Sequence, residues 1–313
     1  MMSPSQPRRI AFFGSPAWAV PVLEALHDHH QVVLVVTQPD KPAGRGLLLT
    51  PPPVAQRARQ LGLPVVQPQK LRNNAEFVEQ IKALNLDAAV TAAYGKILPA
   101  ELLEVPRYGF LNLHPSDLPK YRGPAPVQWT LINGDPETAV CIMQTDPGMD
   151  TGPVVARWRT KVEPDEDAVQ LANRLRDRGT QLLLEALRNL EHLTPEPQPP
   201  QGTHAPMLKK EDGRVRWADA AQAIYDRHRG VQPWPGSWFE HEGKRVKVIS
   251  LRPWEGRGSA AAGAVLEVAP DSLIVAAGEG AVALLEVQPE GKRPMRAADW
   301  ARGYGVKVGT HLA

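Results

Sequence analysis

Residues 111–123 read Leu-Asn-Leu-His-Pro-Ser-Asp-Leu-Pro-Lys-Tyr-Arg-Gly, the densest run of chemistry-bearing side chains in the chain. Successive side chains of a strand point to opposite faces, so Asn112 and His114 share one face and can bring an amide and an imidazole onto one small group. A strand that ends in polar residues and runs into a proline-fixed loop suits the carboxyl edge of an open α/β sheet, where such folds bind ligands. A carboxylate completes the set: Asp150 lies in Pro147-Gly148-Met149-Asp150-Thr151-Gly152, a tight turn able to aim it back at that edge. Amide, imidazole and carboxylate together suit acyl transfer to an amine. The amine must lose a proton, an oxyanion needs donors, and the leaving nitrogen must be protonated. No Ser or Cys nucleophile is needed if the substrate supplies it. Plainer roles fit the same residues: His114 as a cap on loop backbone, Asp150 as an Asx-turn residue.

These residues need a scaffold, and the chain supplies α/β patterning. Arg9-Ile10-Ala11-Phe12-Phe13-Gly14 reads as a buried strand, and Val20, Leu23 and Leu26 stripe a helix after it. Further strands are expected over 32–37, near Val65, and over 88–91 and 109–113, with helices over 54–61 and 75–84. Beyond them, strands over 138–144 and 154–160 flank the Asp150 turn. A helix over 165–190 turns Val169, Leu171, Leu175, Leu182, Leu183, Leu187 and Leu190 inward. Residues 194–206 hold five prolines and almost no apolar side chain, the composition of an extended linker. After a short helix over 219–228, alternating runs over 245–251, 263–268, 272–277 and 281–287 suggest a small β-barrel or sandwich. Gly14-Ser15-Pro16 sits at a strand-to-helix turn but lacks the three-glycine dinucleotide fingerprint, and no phosphate-cradling P-loop follows a strand.

Composition narrows the class. The chain has 313 residues, 42% apolar and 22% charged, which suggests two ordinary domains and excludes disordered, collagen-like and coiled-coil classes. Its 32 prolines are about twice the usual ~5% share and promise many ordered loops. Cys141 is the only cysteine, so a reducing compartment and a buried filler role are expected, with no structural zinc and no metal. No run of ~18 apolar residues predicts a membrane span, and the polar start predicts no signal peptide. A net charge of +2 does not by itself announce a nucleic-acid partner. From residue 209 onward, 16 basic residues against 13 acidic ones give a slight positive bias.

Asn112-x-His114, the run Ser116-Asp117-Leu118-Pro119-Lys120-Tyr121-Arg122-Gly123 and Gly148-Met149-Asp150-Thr151-Gly152 resemble the active-site signature of the folate-dependent formyltransferases. The likeness extends through Thr37-Gln38-Pro39-Asp40-Lys41-Pro42-Ala43-Gly44-Arg45-Gly46, Ala93-Tyr94-Gly95-Lys96-Ile97-Leu98-Pro99 and Pro233-Trp234-Pro235-Gly236-Ser237-Trp238. It implies a Rossmann-like parallel-sheet formyltransferase domain over 1–193, a proline-rich linker over 194–208 and an OB-like β-barrel over 209–313 that grips tRNA. It further implies that a formyl group moves from the co-substrate 10-formyltetrahydrofolate to the α-amine of methionine on an initiator tRNA, in a cytoplasmic monomer. Asn112, His114 and Asp150 match the catalytic positions, and Ser116, Asp117, Leu118 and Pro119 the folate-contacting segment. Asp117 stands where that family usually has leucine; a backbone-mediated contact tolerates this and an apolar side-chain contact does not. Lys41 and Arg45 are the expected tRNA contacts of the 38–49 loop. Basic side chains beyond residue 208 would add a salt-dependent grip, and Trp234 and Trp238 are expected to form a structural plug. The alternatives are a sugar-nucleotide N-formyltransferase with the same site and another acceptor pocket, and a noncatalytic RNA-binding module.

Overall fold

A computed structural model of the chain describes residues 6–43, 48–256 and 260–313. The chain divides into two compact units. The first runs to Pro126 and continues with Glu137–Lys161 and Ala172–Pro206; the second comprises Val127–Pro136, Val162–Leu171 and Met207–Ala313.

In the first unit the strands are β1 (Arg9–Gly14), β2 (Gln31–Val36), β3 (Lys41–Ala43), β4 (Leu48–Thr50), β5 (Val65–Val66), β6 (Ala88–Ala92), β7 (Phe110–His114), β8 (Glu137–Gln144) and β9 (Val154–Lys161). Seven of them form one sheet in the order β5-β2-β1-β6-β7-β8-β9. The pairs from β5 to β7 are parallel, while β7 with β8 and β8 with β9 are antiparallel. Residues 10–13 of β1 are wholly buried, as expected of a strand covered on both faces. The helices α1 (Val20–His29), α2 (Pro53–Gln60), α3 (Ala75–Lys82) and α4 (Ala100–Leu103) fall between the strands. Asn74 caps α3 through its Oδ1, which accepts from Phe77 N at 3.2 Å and starts the helix that buries Phe77, Val78 and Ile81. Phe13 sits edge-on to Tyr94 and Phe110 in the core that this helix closes.

The chain leaves this unit twice. Residues 127–136 include most of α5 (Pro126–Ile132), and residues 162–171 include the start of α6 (Ala168–Arg188). Along α6, Leu171, Leu175, Leu182, Leu183 and Leu187 are buried, as is Leu190 beyond it, but Val169 is 44% exposed, contrary to the inward face expected of it. It lies two positions before Leu171, about 200° round the helix from that stripe.

In the second unit α7 (Ala221–Gly230) precedes β10 (Ser237–His241), β11 (Lys244–Trp254), β12 (Val265–Val268), β13 (Leu273–Ala276), β14 (Ala281–Pro289) and β15 (Met295–Arg296), and α8 (Ala297–Gly303) follows. The sheet is antiparallel, ordered β10-β11-β14-β13-β12 with β15 beside β14, so the expected α/β class followed by a small β domain holds. Register shifts at Val248, Ser250 and Leu251 mark bulges, which bend the long strand β11. Trp300 and Phe239 are fully buried at the centre, edge to face at 5.5 Å.

The two tryptophans expected to act as one plug differ. Trp238 is buried, its Nε1 donates to Lys210 O at 3.0 Å, and the Arg245 guanidinium lies 3.9 Å from its ring centroid. Trp234 is 53% exposed and plugs nothing, because the Pro-Trp-Pro turn ends before β10 begins and leaves it outside the strand.

Candidate active site

His114 ends β7 and Asn112 lies two residues before it, where β6 pairs in parallel on one side and β8 antiparallel on the other. Asn112 Oδ1 accepts a hydrogen bond from Thr91 Oγ1 at 2.9 Å. An amide whose oxygen is engaged by a hydroxyl donor has its orientation fixed, so Nδ2 points the other way, toward Asp150 Oδ1 at 3.4 Å. His114 is buried, and its Nε2 lies 3.0 Å from Tyr121 O. A carbonyl can only accept, so Nε2 carries the proton and Nδ1 is left facing Asp150 Oδ2 at 3.7 Å. The three side chains expected to act together therefore meet.

Asp150 owes its aim to its loop. Its φ is +54°, a conformation that Asp tolerates better than most residues. Oδ2 accepts from Gly123 N at 2.8 Å, and the Asp150 backbone oxygen accepts from Gln198 Nε2 at 3.0 Å. At Gly152 any Cβ would collide with the Gln144 carbonyl, so glycine is required for the turn to close on β8. The Asx-turn role weighed for Asp150 belongs to Asp146, whose Oδ1 accepts from Gly148 N at 3.1 Å and whose carboxylate also takes the Thr151 hydroxyl at 2.8 Å. The capping role weighed for His114 is real but partial, since it occupies one ring nitrogen and leaves the other.

The loop after β7 turns most of its side chains inward. Ser116 is fully buried with its Oγ donating to Lys120 O at 2.7 Å. Leu118 is fully buried against Cys141, Met143 and Val154. Asp117 pairs with Arg157 at 3.3 Å and Arg159 at 3.0 Å, while Pro119 O accepts from Thr203 N at 3.2 Å. Burial pushes the Cys141 thiol up, the state of an inert filler rather than a nucleophile. The stretch expected as a loop over 38–49 carries the short paired strands β3 and β4; within it, exposed Lys41 donates to Gln38 Oε1 at 2.8 Å, and Gln38 in turn donates to Tyr94 O at 2.9 Å. Arg45 lies outside the described residues.

Sequence reasoning missed Thr91, the Tyr121 carbonyl, the Gly123 amide, Arg122 and Gln198. Thr91 carried a signal, being the one polar residue in Ala88–Ala92. The backbone groups carried none. An open depression of about 410 Å³ on the first unit takes in Lys96 and Ile97 with Lys70, Leu71, Arg72 and Asn73, but none of Asn112, His114 and Asp150. Among the described residues, no group of three or more His, Cys, Asp or Glu is placed to hold a metal ion.

Comparison with known proteins bears on this geometry. The formyl transferase family model matches residues 8–187, and the model of the formyl transferase C-terminal domain matches residues 207–305. A methionyl-tRNA formyltransferase of Thermus thermophilus is 57% identical over 304 residues, covering 97% of this chain and 99% of the relative. One of Deinococcus radiodurans is 54% identical over 312 residues, covering 99% and 98%. Among solved structures, HypX from Aquifex aeolicus in complex with tetrahydrofolic acid has the same fold at 18% identity and a TM-score of 0.65, over 97% of this chain and 48% of that one. An N-formyltransferase from Helicobacter canadensis in complex with folinic acid and dTDP-3-aminofucose aligns at 14% identity and a TM-score of 0.65, over 90% and 99%.

Proposed function

The chain belongs to the formyltransferase family, and on that premise we propose that it moves the formyl group of 10-formyltetrahydrofolate to the α-amine of methionyl-initiator tRNA. Relatives that share more than half of its residues over nearly its whole length are named methionyl-tRNA formyltransferase. The observation that best supports the site is the convergence of the Asn112 amide, the second ring nitrogen of His114 and the Asp150 carboxylate. One N–H donor, one basic nitrogen and one carboxylate suit a reaction between a formyl carbon and an amine.

Each group has a task that its partners prepare. Asn112 Nδ2, held outward by Thr91, donates to the formyl oxygen as attack by the neutral amine turns it into an oxyanion. His114 Nδ1 takes the proton that the amine loses on forming the new N–C bond. Its Nε2–H is spent on Tyr121 O, so the ring works as a base through Nδ1 and as a donor only once that nitrogen is protonated. Asp150 steadies the resulting imidazolium, and the proton passes to the folate N10 as the old N–C bond breaks, directly or through water. Ser116, Leu118 and Asp117 are engaged within the protein, which favours backbone contact with the folate and explains why aspartate is tolerated at 117. Lys41 and Arg45 are assigned to the acceptor stem, and basic side chains of Met207–Ala313 to a salt-dependent grip on tRNA. Cytoplasmic location and a monomeric state belong to the same proposal.

The test incubates the purified protein with 10-formyltetrahydrofolate and either methionyl-tRNA or an amino-sugar nucleotide. Formyl transfer to methionyl-tRNA alone is expected; transfer to the sugar alone would overturn the acceptor.

A further inference from the structure

By composition the proline-rich stretch 194–206 reads as a spacer, but its hydrogen bonds tie it to the loops of the site. Arg122 is buried, and its Nε and Nη2 both donate to Gln198 Oε1, at 3.1 and 3.0 Å. The same guanidinium reaches Pro199 O at 2.8 Å and Pro200 O at 3.2 Å. Backbone bonds run alongside: Arg122 N to Thr203 O at 2.9 Å, Ala205 N to Arg122 O at 2.7 Å and Ala125 N to Ala205 O at 3.2 Å. Tyr121 N donates to Thr203 Oγ1 at 2.8 Å. At Gly123, with φ +120°, a Cβ would stand 2.8 Å from Ala205 O, so the closeness of the two segments itself demands glycine.

Gln198 carries the strap onward. Its Nε2 donates to Asp150 O at 3.0 Å and to Gly152 O at 2.6 Å, so both ends of this one amide are occupied. No other uncharged side chain of this length offers an acceptor for a guanidinium at one atom and two donors for carbonyls at the next. The link therefore joins the loop whose Tyr121 carbonyl holds His114 to the loop that presents Asp150.

We propose that Gln198, braced by Arg122, is a positioning residue: it holds the left-handed backbone of Asp150 and thereby sets the carboxylate against His114 Nδ1 and the Asn112 amide. It touches no reacting atom. Even for aspartate, which tolerates it better than most residues, a backbone at φ +54° is uncommon, and the contacts that hold it there decide where the carboxylate points. Here the Gly123 amide fixes the carboxylate and Gln198 fixes the peptide behind it. The kinetic half of this inference rests on the formyl-transfer reading; the structural half does not.

The test therefore has two arms. In the first, Gln198→Met, which keeps the shape and removes every hydrogen bond, is compared with the wild-type chain in methionyl-tRNA formylation across pH. A fall in kcat of about 10- to 100-fold is expected, the scale of a displacement near 1 Å at a reacting centre. KM for methionyl-tRNA should stay within about twofold, and the pH profile of kcat should change shape. The second arm reads the imidazole nitrogen resonances of His114 by NMR in the protein without substrates, where Gln198→Met should move the Nδ1 signal. Gln198→Glu keeps the acceptor for Arg122 but sets an oxygen against two carbonyls; it should reproduce both effects and serves if the methionine variant fails to fold. A kcat within twofold of wild type, or a lower kcat with His114 signals and pH profile unmoved, overturns the proposal. A wild-type chain that does not formylate methionyl-tRNA overturns the functional reading instead, and unmoved His114 signals would then overturn the strap on their own.

Discussion

Polar side chains are handled in opposite ways at the end of β7 and around α7. At β7, Asn112, His114 and Asp150 are each given enough partners to fix an orientation, and one nitrogen each of Asn112 and His114 is left turned toward an oxygen of Asp150 at a loose 3.4 to 3.7 Å. Around α7 the groups engage one another closely. Arg229 pairs with buried Asp226 and donates to Glu166 O at 2.8 Å and Glu163 O at 3.3 Å. Asp226 also accepts from Gln222 Nε2 at 3.0 Å, and Tyr225 OH donates to Asp165 at 2.7 Å. Groups oriented but left in reserve are available for chemistry, whereas groups engaged on several sides hold chain segments together. Loss of a reserve group should therefore cost rate, and loss of a tightly engaged group should cost folding.

The largest effect is expected at Arg229. Replacing it with Met strands a buried carboxylate, a loss of about 3–5 kcal/mol, visible as a lower urea midpoint; an unchanged midpoint would erase the contrast. Next comes Asn112→Ala, which should lower kcat by about 10²–10³ while leaving the thermal midpoint near that of the wild type. A variant retaining more than half the wild-type rate would remove Asn112 from the mechanism.

His228 sharpens the comparison through pH. Burial pushes it down to about 4, with its Nδ1 3.0 Å from Ser237 Oγ. The folded chain keeps this ring neutral, while an unfolded one binds a proton below the ordinary ~6.5. Stability is thus complete above pH 6.5 and declines as pH falls toward about 4. The full loss is of the order of 3 kcal/mol. His228→Gln should flatten part of that decline in denaturation curves recorded from pH 7.5 to 4; an equally steep profile would contradict it. The smallest effect is expected at Asp117, whose partner Arg159 is 62% exposed. Asp117→Leu also takes the carboxylate from Arg157, which is 22% exposed, so it should cost about 1–2 kcal/mol, and it should change KM for 10-formyltetrahydrofolate less than about threefold, under about 0.7 kcal/mol, since the aspartate faces arginines rather than the site. A larger rise in KM would return its side chain to the folate contact.

Much of the site was legible because its residues obey strong local rules. Asn112 and His114 announce themselves by period-two spacing at the end of an apolar run, and Asp150 by its glycine-flanked turn. What stayed hidden acts through backbone or through distant chain. The Tyr121 carbonyl and Gly123 amide have no side-chain signature, and Gln198 lies among prolines whose composition points to a spacer. The fold follows the same division. Strands with continuous apolar runs, such as Arg9–Gly14 and Ala281–Pro289, stand out, while Ser237–His241 hides behind Pro-Trp-Pro-Gly and Ala297–Gly303 is too short for a helical stripe to declare itself.

The two departures of the chain from its first unit bear on how this protein can be dissected. A fragment starting at Met207 would carry every strand of the antiparallel sheet, yet Arg229 would find neither the Glu163 nor the Glu166 carbonyl, and Tyr225 would lose Asp165. Gly230, packed so that a Cβ would stand 2.8 Å from Gln128 O, would face solvent. Genetic truncation at the prolines thus yields a body with an unfilled side, and nicking the backbone there leaves the smaller portion dependent on peptide from the larger one.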